Sequence, residues 1–385
     1  MTLFKKKICV VTSSRSEYGL LKNLIFEIKK SKKLKLQLIA TGMHLSTRHG
    51  LTYKEIIEDN FKINYACPVK IKNTTFSDVS QYCGNSISDN SRYLEKKRPD
   101  IVILLGDRYE VFSFCIASFF LQIPIIHIHG GEITEGAFDD SLRHSITKLS
   151  NYHFVIHNAY KKRIIQLGEH PSRVYNFGAL GVENIKKTKI ITKKILLRRF
   201  KIPLDKKIIL ITFHPETQSN IPLKKQIKIF LSVLNRFKNI YFVFTYNNPD
   251  PEGNFFINEI KKFQKKNKNV KLFSSLGVKI YHSLIKNVDL VIGNSSSGVL
   301  EVPSLKTPTL NIGNRQKGRL FSRSVFCCDN NKKEIEKKIK KILFSNLKIK
   351  FDDIYYKKNT SILMFNKIKN ILNKKNHTKK FYDAA

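Results

Sequence analysis

Short apolar runs alternate with amphipathic stretches along most of this 385-residue chain. Residues 8–12 (ICVVT) read as a buried strand, and residues 18–30 place apolar side chains at helical spacing with Lys and Glu between them. Further strands are expected at 34–41, 101–105, 123–128, 154–157 and 174–176, with a helix at 110–121. Such alternation argues for parallel β-α-β units, because parallel neighbours need a long crossover that a helix supplies. A Lys-rich stretch at 184–203, ending in Ile-Pro-Leu, interrupts the pattern. It then restarts, with strands at 207–213, 240–245, 270–273, 288–292 and 309–312 and helices at 223–239 and 254–267. The expectation is an α/β protein of two Rossmann-like, doubly wound domains, 1–183 and 184–385, with a cleft between them. The second is expected to carry a Lys-rich helical tail beyond residue 330 whose last residues fray.

Composition narrows the class. With 42% hydrophobic residues the chain can bury a core in each domain. No apolar run reaches the length of a membrane span, since residues 116–128 are broken by Gln122 and Pro124. The apolar stretch after Lys5-Lys6-Lys7 is too short for a signal-peptide core, so a cytoplasmic location is expected. The cysteines, at 9, 67, 83, 115, 327 and 328, form no CxxC and read as reduced thiols. Lys and Arg number 70 against 30 Asp and Glu, a formal charge of +40. That excess could mark a nucleic-acid binder, but the Lys are spread over every helix-like segment and no aromatics interleave with them on a strand. Abundant Lys, Ile, Asn and Phe together are what an AT-rich coding sequence produces. Neither nucleic acid nor membrane is an expected partner; an anionic small molecule is.

In open α/β sheets, ligands bind beyond the carboxyl ends of the strands, so the segments after each strand carry the candidate chemistry. His127-Ile-His129-Gly-Gly-Glu132 follows the strand at 123–128, and Asp139-Asp140-Ser-Leu-Arg143-His144 closes the same segment. One of the two Asp would serve as an ordinary helix cap. Capping does not ask for two His, two Gly and Glu132 just upstream, so an active-site reading is preferred. Thr12-Ser-Ser-Arg15 opens a helix after the first strand and suits an anionic oxygen, or is a plain N-cap with a surface Arg. Asp107 stands two residues past the strand at 101–105, as a sheet-edge carboxylate or a cap. His214 ends the first strand of the second half, as a site group or a satisfied loop residue. Gly293-Asn-Ser295-Ser296-Ser297-Gly298 has the small residues and hydroxyls of a phosphate cradle. Glu301, a turn later, can accept from ribose hydroxyls, and Arg315 adds a cation beyond the next strand. His153 and His157 form the one HxxxH pair, but in a strand-like run their rings stand too far apart to share an ion. No metal and no cofactor are expected.

TSSRSEYG, ATGMHLS, GDRYE, HIHGGE, DDSLRHSITKLS, FHPE, GNSSSGVLEVPSLKTP and GNRQKGR occur, in this order and spacing, in a pattern that resembles the hydrolysing UDP-N-acetylglucosamine 2-epimerases of bacterial sialic- and legionaminic-acid synthesis. The resemblance runs from Lys7 to about Arg319. It implies two domains of glycosyltransferase-B type with the active site in the cleft. It also implies an anti elimination: a base takes the carbon-2 proton as the nucleoside diphosphate leaves carbon-1, and water then adds to the glucal to give a free manno sugar. Carried over by motif, Asp107 and Asp139 look like two of the essential carboxylates. Relatives that read HIEGGE have Glu where this chain has His129, with Glu132 kept three residues on. Arg15 and Ser295–Gly298 look like diphosphate ligands, Glu301 the ribose ligand, His214 the cleft-facing His of the second domain, and Tyr281 an aromatic stacked on the base. Arg143 and Arg315 join the substrate-binding set. UDP-N-acetylglucosamine is the first expected substrate, and N,N'-diacetylbacillosamine on UDP or GDP the second. A homo-oligomer, dimer or tetramer, is expected. A glycosyltransferase would share the architecture but would not need Asp107 together with the cluster from His129 to Asp139.

Overall fold

The computed structural model describes residues 5–67, 75–135, 137–247 and 253–384. The chain forms two compact units. The first comprises the chain up to Glu132 together with Asp139–Asn184 and Tyr355–Ala385; the second comprises Ile133–Phe138 and Ile185–Ile354.

The first unit is built on seven parallel strands: β1 (Lys6–Thr12), β2 (Leu34–Thr41), β3 (Ile63–Cys67), β4 (Ile101–Leu105), β5 (Ile125–Ile128), β6 (Tyr152–Val155) and β7 (Val174–Asn176). Their order is β3-β2-β1-β4-β5-β6-β7, so the winding reverses between β1 and β4. At that reversal the crossovers leave on opposite sides and open the strand ends to a ligand. The second unit repeats the plan with β8 (Lys207–Thr212), β9 (Ile240–Thr245), β10 (Val270–Phe273), β11 (Leu290–Gly293), β12 (Thr309–Ile312) and β13 (Val325–Cys328). Its order is β10-β9-β8-β11-β12-β13, again parallel, with the reversal between β8 and β11.

Both faces of each sheet are covered, which is why the central strands are apolar at every position rather than alternating. On β1, Ile8 and Val10 pack with Leu21, Leu24, Ile25 and Ile28 of the helix Arg15–Lys30. Cys9 and Val11 point the other way, to Phe114 and Cys115 of the helix Tyr109–Phe120. β8 behaves alike: Ile209 and Ile211 join Ile227 and Phe230, while Ile208 and Leu210 join Leu284 and Ile285.

Most expected elements form within one to three residues of their expected bounds, and two strands were not anticipated. Both, β3 and β13, lie at sheet edges, where most positions are only half-buried or exposed and the apolar signal is diluted. The 22-residue helix Phe76–Lys97 was also unanticipated, because its buried stripe is Tyr82, Ser86, Asn90 and Leu94, half of it polar. The stretch read as a break begins inside the short helix Leu180–Lys187 and contains a second one, Lys193–Phe200.

The tail departs from expectation in both place and order. Tyr355–Ala385 belongs to the first unit, not to a domain spanning 184–385. The helix Thr360–Leu372 buries Met364, Ile368 and Ile371 in the same core as Ile25 and Ile28. Full burial is worth about 1.5–3 kcal/mol for each such side chain, enough to bring the chain back. The last residues are docked rather than frayed. Lys379 Nζ donates to the carbonyls of Lys148 and Ser150 and to the buried Glu169 carboxylate, and the Tyr382 N–H donates to the Gly168 carbonyl at 2.9 Å. Among the described residues no helix is long and apolar enough to cross a membrane. The six cysteines are all free, four of them buried.

Candidate active site

In the first unit the polar groups gather beyond β4 and β5. Gly106 continues the pairing of β4, its N–H donating to the Ile128 carbonyl at 3.0 Å, and adopts φ +84°. That turn delivers Asp107. The helix Tyr109–Phe120 is capped at Arg108 without a side-chain bond, so Asp107 is not the helix cap. Its carboxylate instead pairs with Arg143, whose guanidinium is fully enclosed on the helix Asp139–Leu149. Arg143 also donates to the Glu132 carbonyl at 3.0 Å and stands 3.8 Å from Asp140. Arg143, expected among the substrate-binding residues, is thus enclosed and paired with Asp107. Asp139 and Asp140 likewise lie inside the first turn of the helix rather than at its cap, and Asp139 is buried.

β5 ends in His127, Ile128 and then His129, which adopts φ +68°. A side chain rarely takes this left-handed region without cause, and such residues concentrate at functional sites. The turn that follows needs Gly131, where a Cβ would come 2.6 Å from the Tyr160 carbonyl at φ +76°. The chain thus doubles back and sets Glu132, wholly buried, 2.8 Å from His129 Nδ1. The other ring nitrogen, Nε2, is buried with no hydrogen-bond partner among the described residues. A buried donor or acceptor left in this state costs free energy that a ligand atom would recover. Asp107, Arg143, Glu132 and His129 are thus one connected chain of polar groups.

His127, by contrast, is structural. Its Nε2–H donates to the Gly106 carbonyl at 2.8 Å, so Nδ1 carries the lone pair and accepts from Thr147 Oγ1 at 3.0 Å. Burial holds its pKa down at about 3. A second buried polar group, unanticipated, fills the ends of β1 and β2. His44 lies between Thr12 and Thr52 with its pKa pushed down by burial to about 4. Glu17 accepts from the Ser13 N–H and hydroxyl at 2.6 and 2.7 Å, and burial raises it to about 7. Arg108 grips Glu110 at 3.1 Å beside it. Arg15 is the first residue of the helix Arg15–Lys30, capped by Ser14, and half-buried. His44, Glu17, Arg108 and Glu110 fall inside three of the quoted motifs, but no local pattern shows that they meet in the fold.

The neutral His127 has a pH consequence. Its folded pKa lies below the ordinary 6.5, so the unfolded chain binds the extra proton first. The stability it contributes is present above about pH 6.5 and is lost as pH falls toward 3. The loss of stability in His127→Gln, measured by urea unfolding, is therefore expected to shrink between pH 7 and pH 4.5. A pH-independent difference would show that the ring is not held neutral.

In the second unit the matching groups lie beyond β8, β11 and β12. Buried His214 follows β8 and is bonded through its main chain to the Asn294 side chain. Gly293 ends β11 at φ +145°, where a Cβ would collide with the Thr212 carbonyl. Ser295 then caps the helix Ser296–Leu300. Five residues make little macrodipole, so what this edge offers an anion is hydroxyls, main-chain N–H groups and the Arg315 cation. Tyr281, on the helix Gly277–Asn287, donates from its hydroxyl to Ser297 Oγ at 3.2 Å, and Ser297 donates to Glu301 at 2.7 Å. Arg315 reaches the Asn294 carbonyl at 3.3 Å. His214, Tyr281, Ser297, Glu301 and Arg315 are thus brought to one edge. Among the described residues no group of three or more His, Cys, Asp and Glu is placed to hold a metal ion.

Two parallel sheets of Rossmann order, each with its polar groups beyond the carboxyl edge, define a two-unit α/β protein of glycosyltransferase-B type. The family model described as UDP-N-acetylglucosamine 2-epimerase matches residues 26–369, and the chain belongs to that family as an enzyme of the hydrolysing 2-epimerase type. It is 45% identical over 329 residues to GDP/UDP-N,N'-diacetylbacillosamine 2-epimerase (hydrolyzing) of Campylobacter jejuni, covering 85% of each chain. Over 386 residues it is 38% identical to polysialic acid biosynthesis protein P7 of Escherichia coli, covering 98% of this chain and 97% of the other. Its fold matches the crystal structure of UDP-GlcNAc 2-epimerase from Neisseria meningitidis bound to UDP-GlcNAc with a TM-score of 0.79 at 19% identity, over 94% of this chain and 100% of that one.

Proposed function

We propose that this enzyme eliminates a nucleoside diphosphate from an activated 2-acetamido sugar and hydrates the product, releasing a free manno-configured sugar. The observation that carries the reading is the chain Asp107–Arg143–Glu132–His129 beyond β4 and β5, ending on Nε2 of His129, which has no hydrogen-bond partner among the described residues. A group on the first unit takes the carbon-2 proton while the carbon-1–oxygen bond breaks, and the electron pair leaves on the diphosphate. Hydroxide of a water molecule then bonds to carbon-1 and a proton returns to carbon-2, so the sum is sugar nucleotide plus water to free sugar plus nucleoside diphosphate. The carbon-2 proton is weakly acidic, so positioned acid–base groups, here Asp107, Asp139 and His129, matter most for its removal. Glu132 orients His129 through Nδ1. The departing diphosphate is stabilised by the Ser295–Gly298 hydroxyls and amides and by Arg15 and Arg315. Glu301 takes the ribose, Tyr281 the base, and His214 stands beside the diphosphate cradle.

For the sugar, the relative at 45% identity carries N,N'-diacetylbacillosamine in its name. This favours the diacetamido sugar, on UDP or GDP, over the UDP-N-acetylglucosamine expected first from the motifs. The latter stays as a second reading, supported by the description of the family model. Catalytic efficiencies on both sugars with both carriers decide. The diacetamido sugar is expected to lead by more than about tenfold, roughly 1.4 kcal/mol. A lead of that size for UDP-N-acetylglucosamine reverses the choice, and no release of nucleoside diphosphate from either ends the reading.

A further inference from the structure

Asn294 is almost completely enclosed (1% exposed) and sits inside a motif read only for its serines and glycines. Its side chain grips the main chain of His214 on both sides: Oδ1 accepts from the His214 N–H at 2.7 Å, and Nδ2 donates to the His214 carbonyl at 2.9 Å. The amide thereby acts as a strand partner for one residue, just where β8 has run out. The main chain of Asn294 is equally engaged. Its N–H donates to the Thr212 carbonyl at 3.3 Å, and its carbonyl accepts from Gln316 Nε2 at 2.8 Å and from Arg315 Nη1 at 3.3 Å. Gln316 is enclosed to the same degree, and its Oε1 takes a hydrogen bond from Arg319 at 2.6 Å. One residue therefore ties together the loops after β8, β11 and β12, three strands adjacent in the sheet.

We infer that Asn294 and Gln316 are positioning residues of the anion site: Asn294 fixes His214, and Gln316 locks the Arg315 loop onto Asn294. The inference rests on the reading of Ser295–Gly298 and Arg315 as the diphosphate site. The residue types fit the task. Only an amide offers a donor and an acceptor side by side, Asp would set a carboxylate against the His214 carbonyl, and Gln is one methylene too long for residue 294. Three loops held in place before the ligand arrives do not have to be ordered when it binds. The groups aimed at the leaving diphosphate then need no rearrangement during the reaction.

The two residues have separable effects. Gln316→Met keeps the volume and leaves the grip on His214 intact, so it loosens only the Arg315 loop. Asn294→Ala and the isosteric Asn294→Asp release His214 as well. The measurements are UDP affinity by calorimetry, kcat and KM, and the unfolding midpoint, with Arg315→Ala as reference. Arg315→Ala is expected to weaken UDP by about tenfold or more, the scale of a lost hydrogen bond to a charged group. Gln316→Met is expected to weaken UDP and raise KM by about fivefold to tenfold, the scale of one buried hydrogen bond, with kcat within about twofold. Both Asn294 variants are expected to lower kcat as well as affinity, and if Asn294→Ala does not fold, Asn294→Asp decides. Unchanged UDP binding in Arg315→Ala means that the diphosphate reading itself fails. If Arg315→Ala weakens UDP while Gln316→Met and Asn294→Asp keep wild-type affinity, KM and kcat, the positioning role is overturned. A lowered unfolding midpoint alone overturns it too.

Discussion

Turnover is expected to fall by about two to four orders of magnitude when Asp107 or Asp139 is replaced by Asn, the range for removal of a general acid or base. The two substitutions should leave the fold intact. Asp107→Asn keeps an oxygen acceptor for the enclosed Arg143 guanidinium, so that cation is not left bare in the protein interior, where breaking a buried pair costs about 3–5 kcal/mol. Asp139 stands in the first turn of its helix, where Asn is also well tolerated. Because the proposed diphosphate ligands other than Arg15 lie on the second unit, UDP affinity should stay near wild type while kcat drops. Steady-state kinetics together with UDP calorimetry check this, and a variant that keeps near wild-type turnover removes its residue from the acid–base set.

The second large effect concerns His129 and Glu132. The two form a dyad, with the enclosed carboxylate on Nδ1 and the far nitrogen, Nε2, as the atom left for the reaction. His129→Gln removes the proton-transferring ring and should cost about two to four orders of magnitude in turnover. Glu132→Gln keeps the ring but loses the carboxylate that orients it, so the loss should be smaller. The rates of nucleoside diphosphate release and of solvent-deuterium entry at carbon-2 separate the elimination from the hydration. The reverse order, with Glu132→Gln the slower enzyme, moves the reacting group to Glu132.

Particular elements show how far the sequence could be read. β4, β9 and β12 form over the expected residues, because strands packed between helix layers are continuous apolar runs; β2 and the edge strands β7 and β10 also keep their expected bounds. β3 and β13 lack that signature since all but one position of each is half-buried or exposed. The tail was placed with the wrong unit because an amphipathic helix states that it must cover an apolar face, not which one. At the site, the motifs named Asp107, His129, Glu132, Asp139 and Arg143, but not the contacts of Arg143 within the fold. Its bonds to Asp107, to the Glu132 carbonyl and beside Asp140 join positions that are distant in the chain. The same holds for Asn294, whose grip on His214 spans eighty positions.

The sequence by itself determined the two-fold β-α-β plan and the places where chemistry could stand, because hydrophobic periodicity and strand-end polarity are local properties of the chain. Tertiary structure alone decided what each polar residue does. His127 and His129, two positions apart on one strand end, diverge: one is locked neutral between Gly106 and Thr147, and the other is turned by its left-handed backbone toward Glu132 with a nitrogen to spare. Burial and hydrogen-bond partners set protonation and orientation, and both come from residues that only the folded chain brings within reach.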